Sequence, residues 1–211
     1  MKRIKRHSFL VLALLSVCLS IGCYLVLERN ALSATDERYV KTVQERVKTV
    51  MGISTRELRD VASLLKRTNN PTFAELNIPT QHPYYVFRDS VLVYWSDYRF
   101  IPDYSQIAAV TYPRLVDFEQ GRYVVSHERV VRIAGTWEVF SLVNVFQSYA
   151  QNNAFRQSGY NTALFALDPT AISPQRGSDR RGSAYQAITD NRGIFLFSVI
   201  PPRVNAYRNH A

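Results

Sequence analysis

The chain has 211 residues, of which 46% are hydrophobic and 20% charged, so it is neither a disordered tail nor a wholly membrane-embedded protein. This length suits one ordinary domain with its own core. The net charge is +9, but no concentrated basic face of the kind found in nucleic-acid-binding proteins is visible, so no nucleic-acid partner is expected. The two cysteines, Cys18 and Cys23, both lie in one apolar run, which excludes a disulfide scaffold.

The amino terminus predicts the compartment. Residues 9–27 form an uncharged run of 19 residues, which would span roughly 28 Å as a helix, close to the thickness of a bilayer's hydrocarbon core. The leader at 1–8 carries four cations: Lys2, Arg3, Lys5 and Arg6. We therefore predict an uncleaved signal anchor that crosses the inner membrane once, with the leader in the cytoplasm and residues 28–211 outside it.

Two other interpretations of this terminus remain open. One is a cleaved signal peptide, although the apolar run is longer than the usual 7 to 15 residues. The other is a lipoprotein in which Cys23 is lipidated after cleavage behind Gly22, although Ser20 fits a lipidation motif poorly. Both alternatives also place the body of the chain outside the cytoplasm. A cytosolic core helix would not explain the four cations directly before the run.

Residues 36–67 are predicted to form a long helix, because apolar or small residues recur there about every 3.6 positions. Thr35 or Asp36 is the expected start, and the segment before Pro71 is the expected end. The apolar stripe can pack on the chain's own sheet, on a second copy, or on both. We expect the sheet not to reach the valines at the membrane-proximal end of this helix. A second copy would then cover them, which predicts a homodimer through residues 36–67. These valines are Val40, Val43, Val47 and Val50.

From residue 84 onward the period changes to that of strands. Residues 84–87 and 91–95 predict a hairpin, and residues 137–146, apolar on both alternating faces, predict a central strand. The other predicted elements are strands at 122–125 and 130–133 separated by a polar break, a loop at 173–183, and a final strand at 194–200. One long helix followed by roughly five or six strands indicates an α+β fold with an antiparallel sheet domain at 84–200.

The sequence contains no Walker loop, G-x-S-x-G, H-E-x-x-H or C-x-x-C motif, so no catalytic residue, metal ligand or cofactor is predicted. His127 and Glu128 adjoin in the polar break and are predicted to form a solvated turn. Several aromatic residues on or beside strands are candidates for a ligand site, because Tyr and Trp combine apolar and polar character. These candidates are Tyr94, Trp95, Tyr123, Trp137 and Tyr149.

Several segments together resemble the N-terminal extracytoplasmic sensor region of bacterial membrane histidine kinases of two-component systems. They are Tyr84 to Asp97 (YYVFRDSVLVYWSD), Gly121 to Val125, Phe140 to Val145, the Tyr149/Asn153/Phe155 spacing, and Asp190 to Ser198. The resemblance implies a PAS-like (Cache-type) sensor domain between two membrane helices, followed by cytoplasmic kinase modules. It also adds Asn153 to the candidate ligand-binding residues.

These 211 residues contain no second membrane helix, phosphoacceptor helix or nucleotide-binding module, so phosphotransfer is not assigned to them. The expected function is a sensor module that binds a small ligand or partner outside the cell and signals through its membrane helix. It is expected to be either a fragment of a longer kinase or a free-standing anchored protein. The alternative is a membrane-anchored or lipoprotein envelope protein for binding or assembly, without a signalling role. An envelope hydrolase has little support, because no nucleophile–base pair is readable.

Overall fold

The computed structural model describes residues 2–133, 135–153, 156–177 and 185–202. Within its first helix, the side chains of residues 2–15, 18 and 24–35 lie outside the described part. The contacts divide the chain into two units. Residues 40–202 form one unit, and the helix up to Tyr39 belongs to the other.

Helix α1 covers Lys2–Arg67, so the predicted start at Thr35 or Asp36 is wrong. The linking residues 28–34 (ERNALSA) contain no Gly or Pro, so nothing in them interrupts the helix. The predicted end is confirmed, because the helix stops at Arg67, ahead of Pro71. Among the described residues, no helical stretch combines the length and apolar character needed to cross a membrane. Most side chains of the predicted anchor at 9–27 lie outside the described part.

The rest of the described chain is two antiparallel sheets and one short helix, which confirms the α+β class with a long N-terminal helix. The larger sheet has the order β2-β1-β5-β4-β3, with β6 paired to β5, and the smaller sheet has the order β7-β9-β8. The elements are β1 Tyr84–Arg88, β2 Val91–Trp95, α2 Tyr104–Ile107, β3 Arg114–Phe118, β4 Gly121–Arg132, β5 Gly135–Gln147, β6 Gly159–Tyr160, β7 Ala171–Ser173, β8 Gln186–Thr189 and β9 Phe195–Ile200.

The predicted central strand is confirmed, because β5 lies between β1 and β4 and is buried along most of its length. The β1–β2 hairpin and the final strand are confirmed as well. The prediction of two strands separated by a polar break around His127 and Glu128 is wrong, because β4 is one continuous strand of 12 residues. Its pairing with the 13-residue β5 holds the polar residues in the ladder. The estimate of five or six strands is too low, since the described part contains nine.

Each face of the larger sheet carries its own apolar core. On one face, the last turns of α1 pack through Leu58, Val61, Ala62 and Leu65 against side chains from β1, β2, β4 and β5. On the other face, α2 and the loop after it contribute Ile107 and Val110 to a second cluster. The sheet residues of this second cluster are Tyr85, Phe87, Tyr123, Val125, Phe140 and Leu142.

The middle of α1 is covered by the smaller sheet. Val43 and Val47 are only 1% and 2% exposed, so the expectation that a second copy must cover them is wrong. Between them, the side-chain amide of Gln44 bonds the backbone of Thr189 in β8, donating to its carbonyl at 2.6 Å and accepting from its N–H at 3.0 Å. These two valines are therefore unavailable for a dimer seam.

Candidate functional site

A cleft of about 330 Å³ opens between helix α1 and the turn that joins β8 to β9. This volume lies at the lower end of the range of small-molecule sites. The helix supplies one wall and the turn supplies the other. The lining residues are Met51, Gly52, Thr55, Arg56, Arg59, Asp190, Asn191 and Arg192.

The turn is organised by Asp190. One carboxylate oxygen of Asp190 accepts hydrogen bonds from the backbone N–H groups of Arg192 and Ile194, each at 2.8 Å. The other oxygen accepts from the side chain of Arg192 at 3.1 Å. The Asp190 side chain is 7% exposed. Both oxygens of this carboxylate are therefore occupied by hydrogen bonds within the turn.

Two contacts hold this turn against the helix. The side-chain amide of Asn191 donates a hydrogen bond to the backbone carbonyl of Lys48 at 3.1 Å. A Cβ atom placed on Gly52 would lie 3.1 Å from the same amide nitrogen, which is tighter than ordinary van der Waals contact. Glycine at position 52 thus lets the turn approach the helix closely, although glycine weakens a helix by about 1 kcal/mol relative to alanine.

The cleft is strongly cationic. Arg56 and Arg59 are exposed and lie one turn apart on the helix, and neither forms an ion pair with a described residue. The Arg192 side chain is 54% exposed and uses one nitrogen for Asp190, so its other donors remain available to the cleft. Three guanidinium groups therefore border one small space, and the one carboxylate that lines it is already engaged.

No protein-family model, curated protein or solved structure matches the chain. Sequence reasoning missed the three arginines of the cleft. The available signals were the Arg56/Arg59 spacing on a predicted helix and the turn-forming residues Asp190-Asn191-Arg192-Gly193 directly before the predicted final strand.

A buried polar cluster lies on the face of the larger sheet that α2 covers. His127 Nε2 lies 3.2 Å from Glu138 Oε1, and both side chains are about nine-tenths buried. The Tyr104 hydroxyl donates a hydrogen bond to the other Glu138 oxygen at 2.6 Å. The imidazole of His127 stacks on Phe140 with 4.6 Å between ring centroids. The predicted solvated turn at His127 is therefore wrong, because this side chain points into the core and contacts Glu138 rather than water.

The environment shifts the pKa values of two members of this cluster. Burial lowers the pKa of His127, and the nearby Glu138 carboxylate opposes this effect only in part. The hydrogen bond to Glu138 is the main reason that the pKa of Tyr104 is raised. Across the described ranges, no three His, Cys, Asp or Glu side chains converge as a metal site.

The predicted aromatic residues do not come together in one pocket. Tyr94 and Trp137 are buried in the helix-side core, where Tyr94 donates a hydrogen bond to the Asn77 side chain at 3.2 Å. Arg88 lies over the ring of Trp137 at 5.3 Å from its centroid. Tyr123 is buried on the opposite face of the sheet. These three rings serve as core residues of two separate clusters.

The remaining predicted residues lie at the surface. Trp95 is 37% exposed and packs edge-on against Phe73, with 5.4 Å between ring centroids. Tyr149 is 38% exposed, and its backbone N–H donates to the Ser158 hydroxyl at 2.9 Å. Asn153 is exposed and shapes its loop by accepting a hydrogen bond from the backbone of Arg156. Tyr149 and Asn153, whose spacing is part of the resemblance, thus lie on a loop surface.

A second cleft, of about 370 Å³, lies between the loop at 77–83 and the start of the loop after β2. Its charged residues, Asp97 and Arg99, bind each other through both carboxylate oxygens. The hydrogen bonds from Arg99 hold the pKa of Asp97 below its usual range. Because these charges are paired, the second cleft offers less for a ligand than the arginine-lined cleft.

Proposed function

We propose that this chain is the extracytoplasmic input module of a membrane receptor of the sensor histidine kinase class, with a PAS-like sheet domain. In this proposal the module lies outside the inner membrane and is anchored by residues 9–27. Ligand binding would be reported through helix α1. The kinase reaction itself is not assigned to these residues.

The observation that carries the proposal is the position of the arginine-lined cleft. One of its walls is α1, the same helix whose sequence includes the predicted membrane segment. A ligand that contacts both the helix and the β8–β9 turn would stabilise one arrangement of these two elements over another. Such a difference in affinity is what a ligand needs in order to shift a conformational equilibrium.

Two further observations support the proposal. The strand order β2-β1-β5-β4-β3 with a long helix on one face supports a PAS-like domain. In the described part of the predicted anchor, Val17, Leu19 and Ile21 are each more than half exposed. Apolar side chains gain free energy when they leave water, which supports cover by lipid or by another apolar surface.

The alternative is a membrane-anchored envelope protein for binding or assembly without a signalling role. It is favoured by the tip of the β4–β5 hairpin, where Val131 is 72% exposed and Ile133 is fully exposed. Exposed apolar residues of this kind can mark a protein contact. The homodimer remains a prediction. Val43 and Val47 no longer support it, because both are already buried within a single chain.

Two experiments test the proposal. A periplasm-active reporter fused after Gln157 is expected to be active, and a cytoplasm-only reporter at the same site is expected to be silent. The reading frame of the gene beyond residue 211 is expected to encode a second apolar run of about 20 residues and a kinase. An active cytoplasmic reporter would contradict the topology, and a stop codon directly after residue 211 would favour the alternative.

A further inference from the structure

The arginine-lined cleft presents more positive charge than the described protein neutralises. Arg56 and Arg59 are on the same side of α1 as Gly52 and Thr55, at spacings of three or four residues that bring side chains onto one helix face. Arg192 approaches from the turn, where its guanidinium is bound to Asp190 through a single nitrogen. Like charges gathered at one place repel each other, so a bound anion would relieve this repulsion.

The geometry of arginine narrows the class of anion. A guanidinium group is planar and presents several N–H donors in a fixed fork, which matches the oxygen atoms of a carboxylate or a phosphate. Arg56 and Arg59 have no ion-pair partner among the described residues and can donate in this way, and Thr55 also lines the cleft. Asp190, the one acidic residue that lines the cleft, does not compete for these donors, because its carboxylate is occupied by the backbone of its own turn.

From these observations we propose that the cleft binds a small oxyanion, carrying a carboxylate or phosphate group, held between Arg56, Arg59 and Arg192. This inference rests on the proposed function, since it names the class of ligand that the input module takes. The buried Met51 and the backbone of Gly52 leave room for a short apolar part of the ligand beside its charged group. The anion would join the helix to the β8–β9 turn.

The test is calorimetric titration of the full chain, purified in detergent at low chloride, with inorganic phosphate and separately with succinate. The two arms distinguish a phosphate ligand from a carboxylate ligand. Saturable binding of at least one anion is expected, with affinity about tenfold or more weaker in Arg56→Gln and in Arg59→Gln, because each variant removes charged hydrogen bonds. Arg59→Lys keeps the positive charge but loses the forked arrangement of donors. Its anion affinity should lie between that of the unaltered chain and that of Arg59→Gln.

Arg67→Gln is the matched control. It removes one exposed arginine from the same helix that does not line the cleft, about two helix turns beyond Arg59, and Arg67 forms no ion pair with a described residue. Its anion affinity should equal that of the unaltered chain. No saturable binding of either anion, or an equal loss in Arg67→Gln, would overturn the inference. The reporter fusion and the downstream reading frame test the module's role independently of anion binding, so the two failures are distinguishable.

Discussion

Ser54 Oγ on helix α1 and Ser141 Oγ on β5 lie 2.9 Å apart in the interface between helix and sheet. Ser54 is 0% exposed and Ser141 is 2% exposed, so this is a hydroxyl pair without access to solvent. It fixes the position of the helix along the central strand, because a shift by even one residue would leave both hydroxyls buried without a partner. Ser54 lies close in the chain to Met51, Gly52 and Thr55, which line the arginine-lined cleft.

This pair gives a test by double substitution. Ser54→Ala should lower the free energy of unfolding by about 1–3 kcal/mol, because the Ser141 hydroxyl loses its partner in a buried place. The double variant Ser54→Ala/Ser141→Ala should cost less than the sum of the two single changes. Denaturant unfolding of the full chain in detergent measures all three variants. Strictly additive costs would mean that the two hydroxyls do not interact.

The buried His127 predicts a loss of stability in mild acid. Because burial places its pKa below that of the unfolded chain, the unfolded state binds a proton first as the pH falls. The free energy of unfolding should therefore decrease as the pH drops below about 6.5, toward the lower pKa of the folded state. Thermal unfolding between pH 7.5 and 5.5 measures this, with His127→Gln as the comparison. If the melting temperature of the variant falls with pH as steeply as that of the unaltered chain, His127 is not the cause of the acid destabilisation.

Gly121, at the β3–β4 hairpin, is predicted to be intolerant of a side chain. Its φ is +141°, and a Cβ atom there would overlap the backbone carbonyl oxygen of Phe146. Gly121→Ala should destabilise the protein by at least about 2 kcal/mol through backbone strain and this overlap. Gly159→Ala is the control, because nothing lies within 4 Å of a Cβ at that position and its φ is not in the left-handed region. Similar melting temperatures for the two variants would contradict the prediction.

The two tryptophans are predicted to contribute very different amounts to the free energy of unfolding. Trp137 is 3% exposed in the helix-side core, so Trp137→Ala should cost about 3–5 kcal/mol of unfolding free energy. Trp95 is 37% exposed, and Trp95→Ala should cost about 1 kcal/mol or less. Denaturant unfolding compares the two directly. Equal losses would mean that the exposed tryptophan carries packing that its surface position does not indicate.

The features that sequence predicted well are those with a strong local period. The central strand β5 is predictable because both of its alternating faces are apolar. The hairpin at 84–95 is predictable because a short polar break separates two aromatic runs. The sequence does not predict that the smaller sheet is separate from the larger one. Its strands β7 and β8 have only 3 and 4 residues, and their pairing with β9 is specified by contacts between distant segments.

The candidate site depends on distant contacts in the same way. Arg56 and Arg59 are one helix turn apart, but Arg192 reaches them only because the β8–β9 turn folds back onto α1. His127 was mistaken for a turn residue because Glu128 and Arg129 follow it, and its partner Glu138 lies on the next strand. Local polarity in the sequence cannot show which polar residues face inward.

The contact between Gln44 and Thr189 also has a consequence for how the protein is made. The two residues are 145 positions apart, and the buried face of α1 around Gln44 is completed only when β8 is present. At a synthesis rate of about 5–20 residues per second, Thr189 leaves the ribosome roughly 7 to 30 seconds after Gln44 does. During this interval the side-chain amide of Gln44 lacks its partner on β8, so this face of α1 reaches its final environment only late in synthesis.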